Sequence, residues 1–88
     1  MKINFMINKT INKNVYKTKD IFIASTLFAQ GVKLISTDWV NGECFFCFAD
    51  EEKSEEMARK YFADEIKISP RTLFNSFKDI KSILFNGR

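Results

Sequence analysis

Val32-Lys33-Leu34-Ile35-Ser36-Thr37-Asp38-Trp39-Val40-Asn41-Gly42-Glu43-Cys44-Phe45-Phe46-Cys47-Phe48-Ala49 is the stretch whose reading decides the fold. Two runs rich in β-branched and aromatic residues flank Asn41-Gly42, the pair best suited to a two-residue type I′ turn because both tolerate positive φ. Such a turn sets the register. Val40 comes opposite Glu43, Trp39 opposite Cys44, Thr37 opposite Phe46 and Ile35 opposite Phe48. Strand alternation then gathers Ile35, Thr37, Trp39, Cys44, Phe46 and Phe48 on one face, the expected core face. The other face carries Leu34, Ser36, Asp38, Val40, Glu43, Phe45 and Cys47, too polar for a core and too apolar for an ordinary wet surface.

Helical signals lie on both sides of this hairpin. Upstream, Thr18 can cap a helix over about residues 19–30, stopped by Gly31 in the left-handed region. Ile21, Ala24, Leu27 and Phe28 share a face that Phe22 and Ile23 widen, so this helix should be largely buried. Downstream, Asp50 reads as the cap of a second helix to about Ala63. Glu51 and Glu52 suit its positive end, and Met57, Ala58, Tyr61 and Phe62 form its apolar stripe. Ile66-Lys67-Ile68 alternates and could add a short third strand. Ser69-Pro70 starts a third helix to about Phe85, with Leu73, Phe74, Phe77, Ile80, Ile83 and Leu84 at helical spacing. The expected fold class is α+β: a two-layer single domain, order α-β-β-α-(β)-α, hairpin against three helices. Residues 18–88 form that domain. Residues 1–17 are an N-terminal extension, either strand-like, since Ile3, Phe5 and Ile7 alternate, or mobile through the polar run from Asn8 to Asn14.

The chain has 88 residues, enough for one domain with a thin core. Ten Phe, two Tyr and one Trp compensate with large apolar side chains. No run approaches the roughly 20 apolar residues a membrane-spanning helix needs. The segment Met1 to Asn8 is too short and too Asn-interrupted for a signal-peptide core. The expectation is a cytoplasmic protein, without membrane association, whose two cysteines stay reduced. Charge is segregated: residues 1–19 carry +5, residues 20–66 carry −6 and residues 67–88 carry +4.

Chemistry is sparse. Histidine is absent, which removes the commonest general base and metal ligand, and the three glycines, at 31, 42 and 87, have no phosphate-loop spacing. Cys44-x-x-Cys47 lacks the second ligand pair zinc requires, and an offset of three on a strand sends the thiols to opposite faces. They read as small strand residues. The acids Asp50, Glu51, Glu52, Glu55 and Glu56 read as a solvated helix face. No catalytic residue, cofactor or metal site is expected, and the chain is read as a non-enzyme.

Two surfaces remain as binding candidates. On the third helix Arg71, Asn75, Lys78 and Lys81 fall on one side, opposite the apolar stripe, and Lys17 and Lys19 could extend the patch, with Lys2, Lys9 and Lys13 beyond them. Clustered cations with a polar Asn are the footprint of phosphate-backbone contact, although the wet side of any amphipathic helix is charged. The second candidate is the outer hairpin face, where Leu34, Val40 and Phe45 would be uncovered unless the N-terminal segment lies over them.

The stretch Asp20-Ile21-Phe22-Ile23-Ala24 … Leu27 … Gly31-Val32-Lys33-Leu34, the strand Phe46-Cys47-Phe48-Ala49-Asp50, and the closing Arg71 … Leu73-Phe74-Asn75-Ser76-Phe77-Lys78-Asp79-Ile80-Lys81-Ser82 resemble a family of small uncharacterised domains found in bacteria and their phages. The resemblance covers about residues 16–85. It implies a phage or mobile-element context and no assigned activity, so no functional residue carries over from it. The leading reading is a small binding module that favours nucleic acid through the basic helix. The alternatives are a protein-binding inhibitor or adaptor, such as a phage host-takeover or anti-defence factor, acting through the outer hairpin face, and a homo-oligomeric structural protein, a homodimer being the simplest form.

Overall fold

In the computed structural model, which describes residues 14–86, Asn41 and Gly42 take φ of 52° and 82°. Both central turn positions are left-handed, as a type I′ turn demands. The turn joins β2 (Leu34–Val40) to β3 (Glu43–Ala49). Val40 pairs with Glu43, Trp39 with Cys44 and Thr37 with Phe46, the register that the two-residue turn imposes. Beyond Ser36 the register shifts. Leu34, not Ile35, lies opposite Phe48, so Ile35 is the extra residue of a β-bulge. A bulge leaves one side chain without a cross-strand partner and reverses the alternation beyond it. Ile35 is therefore 50% exposed, and Leu34 packs against the core. Both expectations for these two residues are corrected by this one irregularity.

The third strand is not Ile66-Lys67-Ile68, which has no regular structure. It is β1 (Val15–Thr18), antiparallel to β3, with Tyr16 opposite Phe48, Lys17 opposite Cys47 and Thr18 opposite Phe46. The sheet order is β1-β3-β2, so residues 15–17, assigned from sequence to the extension, form an edge strand of the sheet. The alternating Ile3, Phe5 and Ile7 lie outside the described residues. Element order is β-α-β-β-α-α, an α+β domain with three helices and a three-stranded antiparallel sheet.

Helix α1 (Ile21–Ala29) is capped by Asp20 and not by Thr18. The Asp20 carboxylate accepts from the Phe22 and Ile23 amides at 2.8 and 3.2 Å, satisfying two of the first turn's orphan donors. Thr18 is still in the strand, and its hydroxyl accepts from the Asp20 amide. Gly31 ends the helix at φ 87°. Five consecutive residues, Ile23 to Leu27, are buried, because α1 packs on helices on two sides as well as against the sheet. Ser25 and Thr26 enter that interior by donating to the Ile21 and Phe22 carbonyls one turn back, at 2.6 and 2.9 Å.

Helix α2 (Glu51–Phe62) starts at Asp50, whose side chain accepts from the Lys53 amide. Fully buried Ser54 donates to the Ala49 carbonyl at 3.1 Å, tying α2 to the end of β3. Ala58 is buried, and Met57 and Tyr61 pack on the core, but Phe62 is 72% exposed and leaves the expected stripe. Helix α3 (Pro70–Asn86) begins at Ser69, whose hydroxyl accepts from the Thr72 amide. It packs mainly on α1 and buries Ser76 and Ile80.

Phe46 and Phe48 are fully buried between the sheet and the helices, with Leu27 and Ile80. Phe46→Ala should cost about 3–5 kcal/mol, most of the stability of a domain this small. Phe62→Ala should change stability by no more than about 0.5 kcal/mol. Urea unfolding followed by far-UV circular dichroism checks both, and equal costs would contradict the described core.

Candidate functional site

The two faces of the sheet offer different chemistry. On β3 the side chains alternate, so Cys44 faces the core with Phe46 and Phe48, while Cys47 lies on the outer face between Lys17 of β1 and Ser36 of β2. The outer face is a shallow basin of about 970 Å³ lined by Val15, Lys17, Ile35, Asp38, Cys47 and Ala49. Its polar centre is already satisfied. The Lys17 ammonium donates to Asp38 Oδ2 at 3.1 Å, and the Cys47 thiol lies 3.6 Å from the same oxygen. The hydrogen bond to Asp38 raises the Lys17 pKa above its ordinary value. Of the three residues proposed from sequence for a partner surface here, Val40 is exposed, Phe45 is half-buried and Leu34 has turned to the core. The bulge divides that group.

The basic candidates are divided as well. Lys17 and Lys19 belong to the sheet side, where Lys19 pairs with Glu43 at 3.0 Å. Arg71, Asn75 and Lys78 are exposed on α3, and Lys81 is half-buried. Among the described residues, no carboxylate lies within ion-pairing distance of Arg71, Lys78 or Lys81. The structure thus keeps the α3 cations together and separates Lys17 and Lys19 from them. Lys2, Lys9 and Lys13 lie outside the described residues.

Next to these cations stand aromatic rings, of which helical periodicity assigns Phe74 and Phe22 to buried faces and leaves Phe85 as the helix end. Phe74 is 63% exposed and Phe85 58% exposed. Phe22 of α1 is 54% exposed and stacks on Phe77 with centroids 5.5 Å apart and ring planes 3° from parallel. Lys81 Nζ lies 5.4 Å from the Phe77 centroid and 6.0 Å from that of Phe85, within cation–π range. A groove of about 290 Å³ runs between α1 and α3, lined by Phe22, Tyr61, Leu73, Phe74 and Phe77 over Ser25 and Thr26. Phe22, Phe74 and Phe85 are the surface residues that sequence reasoning missed. The available signal was the i, i+3, i+7, i+10, i+14 spacing of Arg71, Phe74, Lys78, Lys81 and Phe85, which places cations and rings on one flank of a helix.

No helix among the described residues is long and apolar enough to cross a membrane. A family model described as a domain of unknown function (DUF5659) matches residues 13–86, and the chain belongs to that family. No curated protein and no solved structure matches the chain.

Burial gives this fold an alkaline limit. Desolvation, with smaller contributions from Cys47 and Asp38, raises the Cys44 thiol above its ordinary 9.0. Desolvation, with Glu55 and Asp20, raises Tyr16 above 10.0. Below these ordinary values both states hold the proton. Above them the unfolded chain releases it while the folded chain retains it, so stability falls as pH rises. Lys17 acts in the same direction, because its raised ammonium pKa stabilises the fold below 10.5 and that contribution is lost above it. The urea midpoint should therefore fall progressively above about pH 9. Cys44→Ala should flatten the first part of that decline; an unchanged slope would contradict the burial of the thiol.

Proposed function

We propose that this chain is a small, non-enzymatic, cytoplasmic module that binds nucleic acid through the exposed flank of α3. The observation that supports this reading most is the row of three cations on one helix flank. Lys17 and Lys19 are held by Asp38 and Glu43 on the sheet, whereas Arg71, Lys78 and Lys81 share α3 without carboxylate partners among the described residues. Unpaired cations in a row on a rigid helix suit a polyanion, because each phosphate neutralised releases condensed counterions. Asn75, exposed beside Arg71 and Lys78, adds a neutral donor of the kind that contacts phosphate or sugar. Asp79 is the one acid on α3, and the other described acids sit on other elements, so the three cations leave this flank positive.

The test is fluorescence anisotropy with labelled 20-nucleotide DNA and RNA, single-stranded and duplex, titrated across NaCl concentrations. Affinity should fall steeply with salt. Replacing Arg71, Lys78 and Lys81 together with Gln should weaken binding to every sequence alike. The same variant should reduce the log–log salt slope by about 2–3 units, from about 0.7 per single-strand contact to 0.9 per duplex contact. Phe45→Glu, on the far side of the sheet, should leave binding unchanged. Absence of binding at low ionic strength, or wild-type behaviour of the triple variant, would sink the reading.

A further inference from the structure

We infer that the α1–α3 flank is built for unpaired nucleic-acid strands, whose bases stack on its exposed phenylalanines. The inference rests on the nucleic-acid reading and narrows it. Arg71, Phe74, Lys78, Lys81 and Phe85 recur at i, i+3, i+7, i+10 and i+14 along α3, a stripe about 21 Å long at 1.5 Å per residue. Cations and rings are interspersed along it, with Lys78 and Lys81 between the two rings. Phosphates of a strand lying on this stripe meet Arg71, Lys78 and Lys81, while its bases meet Phe74 and Phe85, both more than half exposed.

The rings select the form of the ligand. Bases in a duplex are stacked on one another and offer no free face, whereas unpaired bases stack on aromatic side chains. A protein that reads only a duplex backbone gains nothing from exposed phenylalanines beside its lysines. The flank also extends beyond α3. The Phe22–Phe77 pair, with parallel rings whose centroids are 5.5 Å apart, carries the platform across to α1 and borders the groove beside Phe74. Lys81 lies over Phe77 and Phe85, so its ammonium is held on the aromatic surface where a phosphate would arrive with its base.

The groove's chemistry also sets the selectivity. The hydroxyls of Ser25 and Thr26 beneath it already donate to main-chain carbonyls. Flat apolar faces, and few polar groups able to read base edges, give binding that tolerates sequence.

The experiment compares labelled dT20, U20 and a 20-base-pair duplex at one low ionic strength. Unpaired strands should bind tighter than the duplex. Phe74→Ala and Phe85→Ala should each weaken single-strand binding about 5- to 150-fold, the range for loss of one stacked base. Duplex affinity should be nearly unchanged, and Phe74→Trp should keep wild-type affinity. Circular dichroism confirms folding. Should Phe74→Ala unfold, Phe74→Leu keeps the bulk without the flat face and decides. If the alanine variants bind single strands normally while the Arg71/Lys78/Lys81 variant does not, stacking is overturned and the phosphate reading survives. If no nucleic acid binds, both fall. If light scattering shows a dimer that Phe74→Ala dissociates, the flank is a self-association surface and the inference is overturned.

Discussion

Phe46 and Phe48 lie fully buried side by side on the central strand, and the positions of the other elements follow from covering them. Their strand carries β1 on one edge and β2 on the other, so the inner sheet face is a narrow apolar strip whose middle is these two rings. A strip so placed has to be roofed by helix. Leu27 and Ala24 of α1, Ala58 of α2 and Ile80 of α3 all reach the cluster that contains it. Burying a phenylalanine contributes roughly 1.5–3 kcal/mol, a large share of what a domain of 88 residues can hold in reserve. That leaves little slack for rearranging the roof. Once α1 is pinned on the strip it has to be apolar on nearly every side, and α3 can dock on its back.

The same constraint explains why charge sorts itself between two faces. Among the described residues no helix is left for the outer sheet face, since all three contribute to the inner cluster. It is finished locally instead, by Lys17–Asp38 across the strands and Lys19–Glu43 beside the turn. Exposed pairs of this kind contribute little stability, but they neutralise the cations that take part. Among the described residues the α3 cations have no such partners. With most acids on α2 and the strands, α3 presents three cations without ion-pair partners among the described residues, against the single acid Asp79 on the same helix, and low-dielectric protein beneath them strengthens the field felt by an approaching polyanion.

Much of this was legible in the sequence where the signal is local. Asn41-Gly42 determines the turn through φ alone. Gly31 stops α1, Asp50 caps α2, and Ser69-Pro70 opens α3, each through backbone chemistry contained within a few residues. The non-local facts were not legible. Nothing in Leu34-Ile35-Ser36 marks a bulge, since the extra residue is chosen by what β3 and the Lys33 carbonyl, which accepts from Ala49, allow at the far end of the hairpin. The third strand was sought in Ile66-Lys67-Ile68 because it alternates, yet Val15–Thr18 is the segment positioned beside β3. The basic residues of α3 were readable as one side of a helix. Their separation from Lys17 and Lys19 was not, because it depends on which strand faces Asp38.

The misplacement of Phe74 carries the functional argument furthest. Helical periodicity groups Leu73, Phe74, Phe77, Ile80, Ile83 and Leu84 as one stripe, but a stripe that wide exceeds the width of a single supporting helix. Helix α3 rests on α1 through Ser76 and Ile80, with Leu73 and Phe77 half-covered, so residues on the margin have nothing beneath them. A marginal position on an ordinary amphipathic helix suits a long polar side chain, which shields the apolar edge and keeps its head in water. This chain places Phe74 and Phe85 there instead and sets Lys78 and Lys81 between them. Exposed rings without charge would suit an apolar partner, and charge without rings would suit a duplex backbone. The two interleaved on one flank, with an ammonium already seated over the rings, suit a ligand that brings both negative charge and flat apolar faces.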